Sequence, residues 1–320
     1  MTPIWTHLVL NLGQVAFILV FSPLVEGVLH RIEENIQGKS GVSIWQTYRD
    51  IWKLFGKDEV VSEQSTWVFR FAPIVAFVMP IFVVLLIPAF TAYPLFFAFM
   101  GDMVAVGFLM AVSGFFVALA GMDTGNIYAA VGASRTHMVG FLAEPVFIMV
   151  FFSVSYVANS TIPYFVTATW GASWSNMLQP THLMVILAFF LLILADEGRI
   201  PVDSPAGKVE IAMIGHSKGL EYSGSSAALM KWGGASKLMV LALIFVNVLV
   251  TPWGLAATTQ WTAVLSAMGL VLLKLLAFVV ILALVETTLA KLRLFRISEF
   301  LAVAFVICLF AVSIRLVGIT

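Results

Sequence analysis

The sequence predicts an all-α polytopic membrane protein, and three observations carry that prediction. The 320-residue chain is 61% hydrophobic and only 11% charged, more apolar surface than a soluble domain has a use for. Its apolar residues fall into eight runs of about 20 residues, the length at which a helix crosses the hydrocarbon core. Its Lys and Arg residues gather in alternate connections between those runs, the asymmetry that orients membrane helices. Residues 1–320 read as a single integral membrane domain.

The runs lie at about 8–28, 68–90, 103–121, 136–157, 181–199, 237–255, 262–284 and 298–318. The second holds Pro73, Pro80 and Pro88; proline removes a backbone donor, so a bend is expected there. The connection at about 29–67 carries Arg31, Lys39, Arg49, Lys53 and Lys57, and that at about 122–135 ends on Arg135. The connection at about 200–236 holds Lys208, Lys218 and Lys231, and that at about 285–297 holds Lys291, Arg293 and Arg296. The alternate connections, 91–102, 158–180 and 256–261, contain no Lys or Arg. The four basic loops are therefore expected in the cytoplasm and both termini outside. Within the first basic loop, Ile44, Tyr48, Ile51 and Phe55 recur at helical spacing with Trp45 and Trp52 alongside. That pattern predicts an amphipathic helix lying in the interface, as an anchor or as a docking surface.

Composition excludes several functions. The formal net charge is zero, so nucleic acid has no electrostatic footing. Cys308 is the only cysteine; no disulfide framework and no cysteine cluster for iron–sulfur or zinc can form, and any redox centre is expected in another chain. His7, His30, His137, His182 and His216 are scattered without a paired spacing, so no metal site is expected. No phosphate-binding glycine loop and no Ser-His-Asp set can be placed. The N-terminus lacks a basic leader region, and a cleaved signal peptide is not expected.

The charges that remain are informative because ionised groups at membrane depth are costly and find partners, line water or move protons. Residues 195–224 carry Asp196, Glu197, Asp203, Glu210 and Glu221. Glu144 lies inside the fourth run, followed by Pro145; Lys274 sits in the seventh and Glu286 closes it. Lys274 is expected to face the bundle and to find a carboxylate. Together with Glu144 it is expected on a hydrated interior path reached by Asp196 or Glu197. Glu26 and Asp102, at the ends of runs, are expected to be solvated.

The stretch Arg199-Ile200-Pro201-Val202-Asp203, followed by Glu221-Tyr222-Ser223-Gly224, resembles the signature of the complex I subunit 1 family. Gly121-Met122-Asp123-Thr124-Gly125, Gly132 to Arg135, Glu144-Pro145, Tyr48 to Leu54, Met230 to Gly233 and Ala290 to Arg296 resemble one branch of it. That branch is the membrane subunit of formate hydrogenlyase and related energy-converting nickel–iron hydrogenases.

The resemblance implies a multi-pass subunit of a prokaryotic cytoplasmic membrane that binds no cofactor itself. Its implied partners are hydrogenase large and small subunits, ferredoxin-like subunits with four-iron–four-sulfur clusters, and antiporter-like membrane subunits; the nickel–iron centre belongs to the partners. It implies a proton-path or coupling role for Glu144, Asp196, Glu197, Asp203, Glu210, Glu221, Lys274 and Glu286. It implies docking of the peripheral arm by Arg49, Asp50, Asp123, Arg135, Arg199, Tyr222, Lys231 and Arg293. The chain departs from the family pattern at Lys39-Ser40-Gly41-Val42, where an arginine pair is usual, and at Ala206 and Lys208, where glutamates are usual. A quinone-channel subunit of a respiratory dehydrogenase is the alternative. A stand-alone transporter would carry inverted repeats, and none is visible.

Overall fold

A computed structural model describes residues 4–203 and 217–317. Its helices are α1 (Ile4–Ile36), α2 (Gln46–Phe55), α3 (Trp67–Leu86), α4 (Met103–Asp123), α5 (Ile127–Ala158), α6 (Pro163–Gly171), α7 (Trp174–Met177), α8 (Pro180–Asp196), α9 (Gly224–Leu243), α10 (Trp261–Thr288) and α11 (Ile297–Val317). A π-helical turn, Ile244–Val250, extends α9 without a break. Seven of these helices, α9 with its extension among them, are long and apolar enough to cross a membrane. The eighth apolar run is α8, 17 residues long, which at 1.5 Å per residue is about 26 Å and at the short end of what spans. Among the described residues there are no strands, only an isolated bridge between Thr91 and Ala256.

Three run boundaries differ most from the expected ones. α1 continues to Ile36, α5 starts at Ile127 and α9 starts at Gly224, so the loops expected at 122–135 and 200–236 are shorter. α4 and α5 are joined by residues 124–126 alone, where Asn126 caps α5 by accepting from the Tyr128 amide. Arg135 therefore sits on a helix rather than in a loop. α9 begins before the apolar run because its lysines have acids: Lys231 Nζ lies 2.5 Å from Asp50 Oδ2, and Lys237 Nζ lies 2.7 Å from Asp196 Oδ2. A hydropathy pattern stops at an unpaired lysine, whereas a helix can carry a paired one.

α9 is the central element. It packs against α1, α2 and α3, and 83% of its most apolar window is buried. Gly233 permits the contact with α3, since a Cβ there would stand 2.6 Å from the Ala76 carbonyl oxygen. α4 lies between α3 and α5, α11 covers α5 and α8, and α10 rests chiefly on α1. α3 runs through Pro73 and Pro80 and stops before Pro88. The expected amphipathic helix is α2. It buries Thr47 and Ile51 and leaves Trp45 and Trp52 exposed, as an interfacial helix does.

Candidate functional site

The basic end of the bundle holds a network of charges built from α1, α8, α9, α10 and the connections that follow α8 and α10. α8 stops at Asp196, and Gly198, in the left-handed region at φ 59°, turns the chain. The Arg199 amide donates back to the Leu194 carbonyl at 2.9 Å. The turn aims the Arg199 side chain inward, where it is 6% exposed. Its Nη1 lies 3.6 Å from Glu33 Oε1 on α1, and its Nε 3.5 Å from Glu286 Oε1 on α10. His30 extends the series along α1, with Nδ1 3.3 Å from Glu33 Oε2 and Nε2 3.8 Å from Glu26 Oε1. Those spacings are one helical turn, so the three side chains share a face.

A second branch starts at the same turn. Lys237 of α9 reaches Asp196 at 2.7 Å and Glu197 at 3.8 Å. Lys291 binds Asp203 Oδ1 at 2.7 Å. Burial pushes the Glu197 carboxyl up to about 7, with Asp196 adding to the rise and Lys237 opposing it. Burial would lower Arg199, but Glu286 and Glu33 outweigh it and hold the guanidinium above its ordinary value. Burial and the charge on Lys237 pull Lys218 down to about 8. A carboxyl near neutrality beside fixed cations can take up or release a proton in response to a nearby charge.

A cavity of about 850 Å³ opens onto this network. Asp196, Glu197, Arg199, Asp203, Lys218 and Lys237 form its polar wall, and Glu26 and His30 also line it. Met110 and Phe115 of α4 with Phe141 and Phe147 of α5 form its apolar wall, in which Glu144 stands exposed. One continuous space thus joins Glu144 to Asp196 and Glu197. Among the described residues no group of His, Cys, Asp and Glu side chains is arranged to hold a metal ion.

Of the candidate coupling residues, Glu144, Asp196, Glu197 and Asp203 meet at this cavity, and Glu286 joins the network through Arg199. Lys274 does not. Its Nζ donates to the backbone carbonyls of Thr251, at 2.7 Å, and of Trp253, so the carboxylate partner expected for it is replaced by backbone carbonyls of the connection after the π-helical turn. Glu221 accepts from the Asn126 side chain and is absent from the cavity lining; it fastens the α4–α5 turn to the start of α9. Glu210 lies outside the described residues.

The candidate docking residues divide in the same way. Arg49 and Arg293 are exposed, and Arg135 is half-buried. Arg199 is buried in the network rather than displayed. Tyr222 is buried too, stacked on Phe69 with ring centroids 4.1 Å apart and its hydroxyl donating to the Phe69 carbonyl at 2.9 Å. Asp50 and Lys231 are spent on each other. Asp123 accepts from the Thr66 amide at 2.7 Å and from its hydroxyl at 2.9 Å, which pins α3 to α4. Burial demands a partner for Arg199 and for the Tyr222 hydroxyl, whereas Asp50, Lys231 and Asp123 are partly exposed and pair to join neighbouring helices.

Sequence reasoning missed His30, Glu33, Lys237 and Lys291, and assigned Glu26 to solvent. One signal was available, the Glu26, His30, Glu33 spacing that puts all three on one helical face. Lys237 on α9 and Lys291 in the connection after α10 have no local signature.

A family model described as NADH dehydrogenase matches residues 8–317. The chain is 34% identical over 289 residues to hydrogenase-4 component C of Escherichia coli K12, covering 90% of this chain and 89% of that one. It is 33% identical over 285 residues to formate hydrogenlyase subunit 4 of the same organism, covering 88% and 90%. Among solved structures it resembles a chain of the membrane-bound sulfane sulfur reductase, an archaeal respiratory membrane complex. The TM-score is 0.80 at 20% identity, covering 95% of this chain and 99% of that one, a likeness of fold.

Proposed function

The chain belongs to the NADH dehydrogenase family, and on that premise we propose that it is the membrane-anchoring and coupling subunit of a multisubunit, energy-converting nickel–iron hydrogenase of the formate hydrogenlyase kind. The names of its two Escherichia coli relatives, matched over about nine-tenths of each chain, support this branch. In this reading the subunit sits in the cytoplasmic membrane with its basic loops in the cytoplasm and both termini outside. The peripheral arm, with its large, small and ferredoxin-like subunits, docks on those loops, where Arg49 and Arg293 are exposed. Antiporter-like subunits lie beside it in the membrane.

One observation carries the reading. Arg199 is buried between Glu33 of α1 and Glu286 of α10 while its backbone belongs to the loop at the basic end. A charge arriving in the docked arm shifts the balance among Arg199, Glu197 and Lys237, and Glu197 is poised to answer by exchanging a proton with the cavity. Electrons never enter this chain; only charge and protons move in it.

The test uses the purified complex. In Glu197→Gln, hydrogen evolution from the natural donor should fall about tenfold or more, because the carboxyl that exchanges the proton can no longer ionise. Hydrogenase activity with an artificial donor to the large subunit should persist. Equal loss in both assays would point to assembly and end the coupling role.

The cavity of about 850 Å³ favours a second reading, a quinone-channel subunit of a complex I-like dehydrogenase. Its volume and its apolar wall suit a small ring compound. Quinone-dependent turnover by the purified complex would establish that reading in place of the first.

A further inference from the structure

Lys274 lies near the middle of α10, a 28-residue helix, and belongs neither to the charge network nor to the cavity. Its ammonium donates to the carbonyls of Thr251 and Trp253. Those carbonyls, in the connection that follows the π-helical turn, satisfy two of its three protons with neutral dipoles. The full charge is not balanced. None of the ion pairs of the described residues includes Lys274, and Glu286, farther along the same helix, is turned to Arg199.

The surroundings of Lys274 are as uneven as its charge. Only 33% of the most apolar window of α10 is buried, against 83% for α9. Leu270 and Ala277, one helical turn to either side of the half-buried lysine, stand exposed, and so does Leu273 beside it. A leucine face suits lipid, but lipid tails offer no anion at that depth, and an ammonium in the hydrocarbon region is costly unless paired. An Asp or Glu on a neighbouring transmembrane helix would both cover the face and balance the charge.

We propose that this face of α10 docks a transmembrane helix of a partner subunit carrying a carboxylate at the depth of Lys274, which binds the remaining proton of the ammonium. The inference rests on the proposed assembly only in requiring a second membrane chain.

The test is zero-length cross-linking of the purified wild-type complex with a membrane-permeant carbodiimide, followed by peptide mass spectrometry. The expected product joins Lys274 by an amide bond to an Asp or Glu of a different membrane subunit. Two variants separate charge pairing from capping. Lys274→Arg keeps the charge and should retain that subunit through purification. Lys274→Gln keeps a donor for the carbonyls but not the charge, and should lose the subunit by roughly tenfold or more, as removal of one buried partner does. A partner that co-purifies with wild type but gives no Lys274 link, or that stays equally bound to the Gln variant, overturns the inference and leaves the proposed function standing. A link to an acid of a second copy of this chain overturns the partner named here. Absence of any membrane partner overturns both.

Discussion

Arg199 Nε and Glu286 Oε1 stand 3.5 Å apart in a setting where the two side chains are only 6% and 4% exposed. Neither could be so placed alone, because an uncompensated charge in such a site costs several kcal/mol. Removing one member should therefore hurt more than removing both. Arg199→Met is expected to destabilise the fold by about 3–5 kcal/mol. The Arg199→Met, Glu286→Gln pair should recover a large part of that loss. Thermal unfolding of the three variants in detergent measures the difference, and additive losses would show that the two groups are not a unit.

Glu197 makes stability depend on pH. Its carboxyl is raised from 4.5 to about 7 in the folded chain, so the folded state holds a proton that the unfolded state releases. The stability this gives is complete below about 4.5 and is lost as pH rises to about 7. The full change is about 3 kcal/mol. Glu197→Gln cannot ionise, and its unfolding temperature should be flatter across that window. Parallel curves for the two proteins would contradict the shift.

Two glycines should respond oppositely to the same substitution. A Cβ on Gly233 would meet the Ala76 backbone at 2.6 Å, whereas one on Gly114 meets nothing within 4 Å. Gly233→Ala should cost about 1–3 kcal/mol through separation of α3 and α9. Gly114→Ala should be neutral or stabilising by up to about 1 kcal/mol, since alanine is the better helix former. Unfolding temperatures of the two variants measure this directly.

The orientation can be read by labelling. In a Cys308→Ala background, cysteine at Ser40 and cysteine at Ser175, both exposed, should react with an impermeant thiol reagent from opposite faces of the membrane, Ser40 from the cytoplasm. Labelling of both from one face would contradict the arrangement of helices between them.

The apolar runs, the amphipathic α2 and the segregation of bases were legible in the sequence because each is a local property. A run of apolar residues must leave water, and a pattern such as Ile44, Tyr48, Ile51 and Phe55 has one helical face whatever surrounds it. The Glu26, His30, Glu33 series was legible in spacing, though not in importance. Helix ends were read less well wherever a charge was paired at long range, as at Lys231 and Lys237, since nothing near them in sequence names Asp50 or Asp196.

What the sequence determined by itself was the membrane class, the count of apolar segments and the end of the bundle at which charge collects. Those follow from transfer free energies of single residues and short segments. Only the tertiary structure decided which charges serve one another. It spent Asp123, Tyr222 and the Asp50–Lys231 pair on contacts between neighbouring elements and set Arg199 between Glu33 and Glu286. It also gave Lys274 backbone carbonyls in place of an acid. The physical reason is that the energy of a buried charge depends on what lies within a few ångströms of it, and those neighbours come from helices that the chain brings together only on folding.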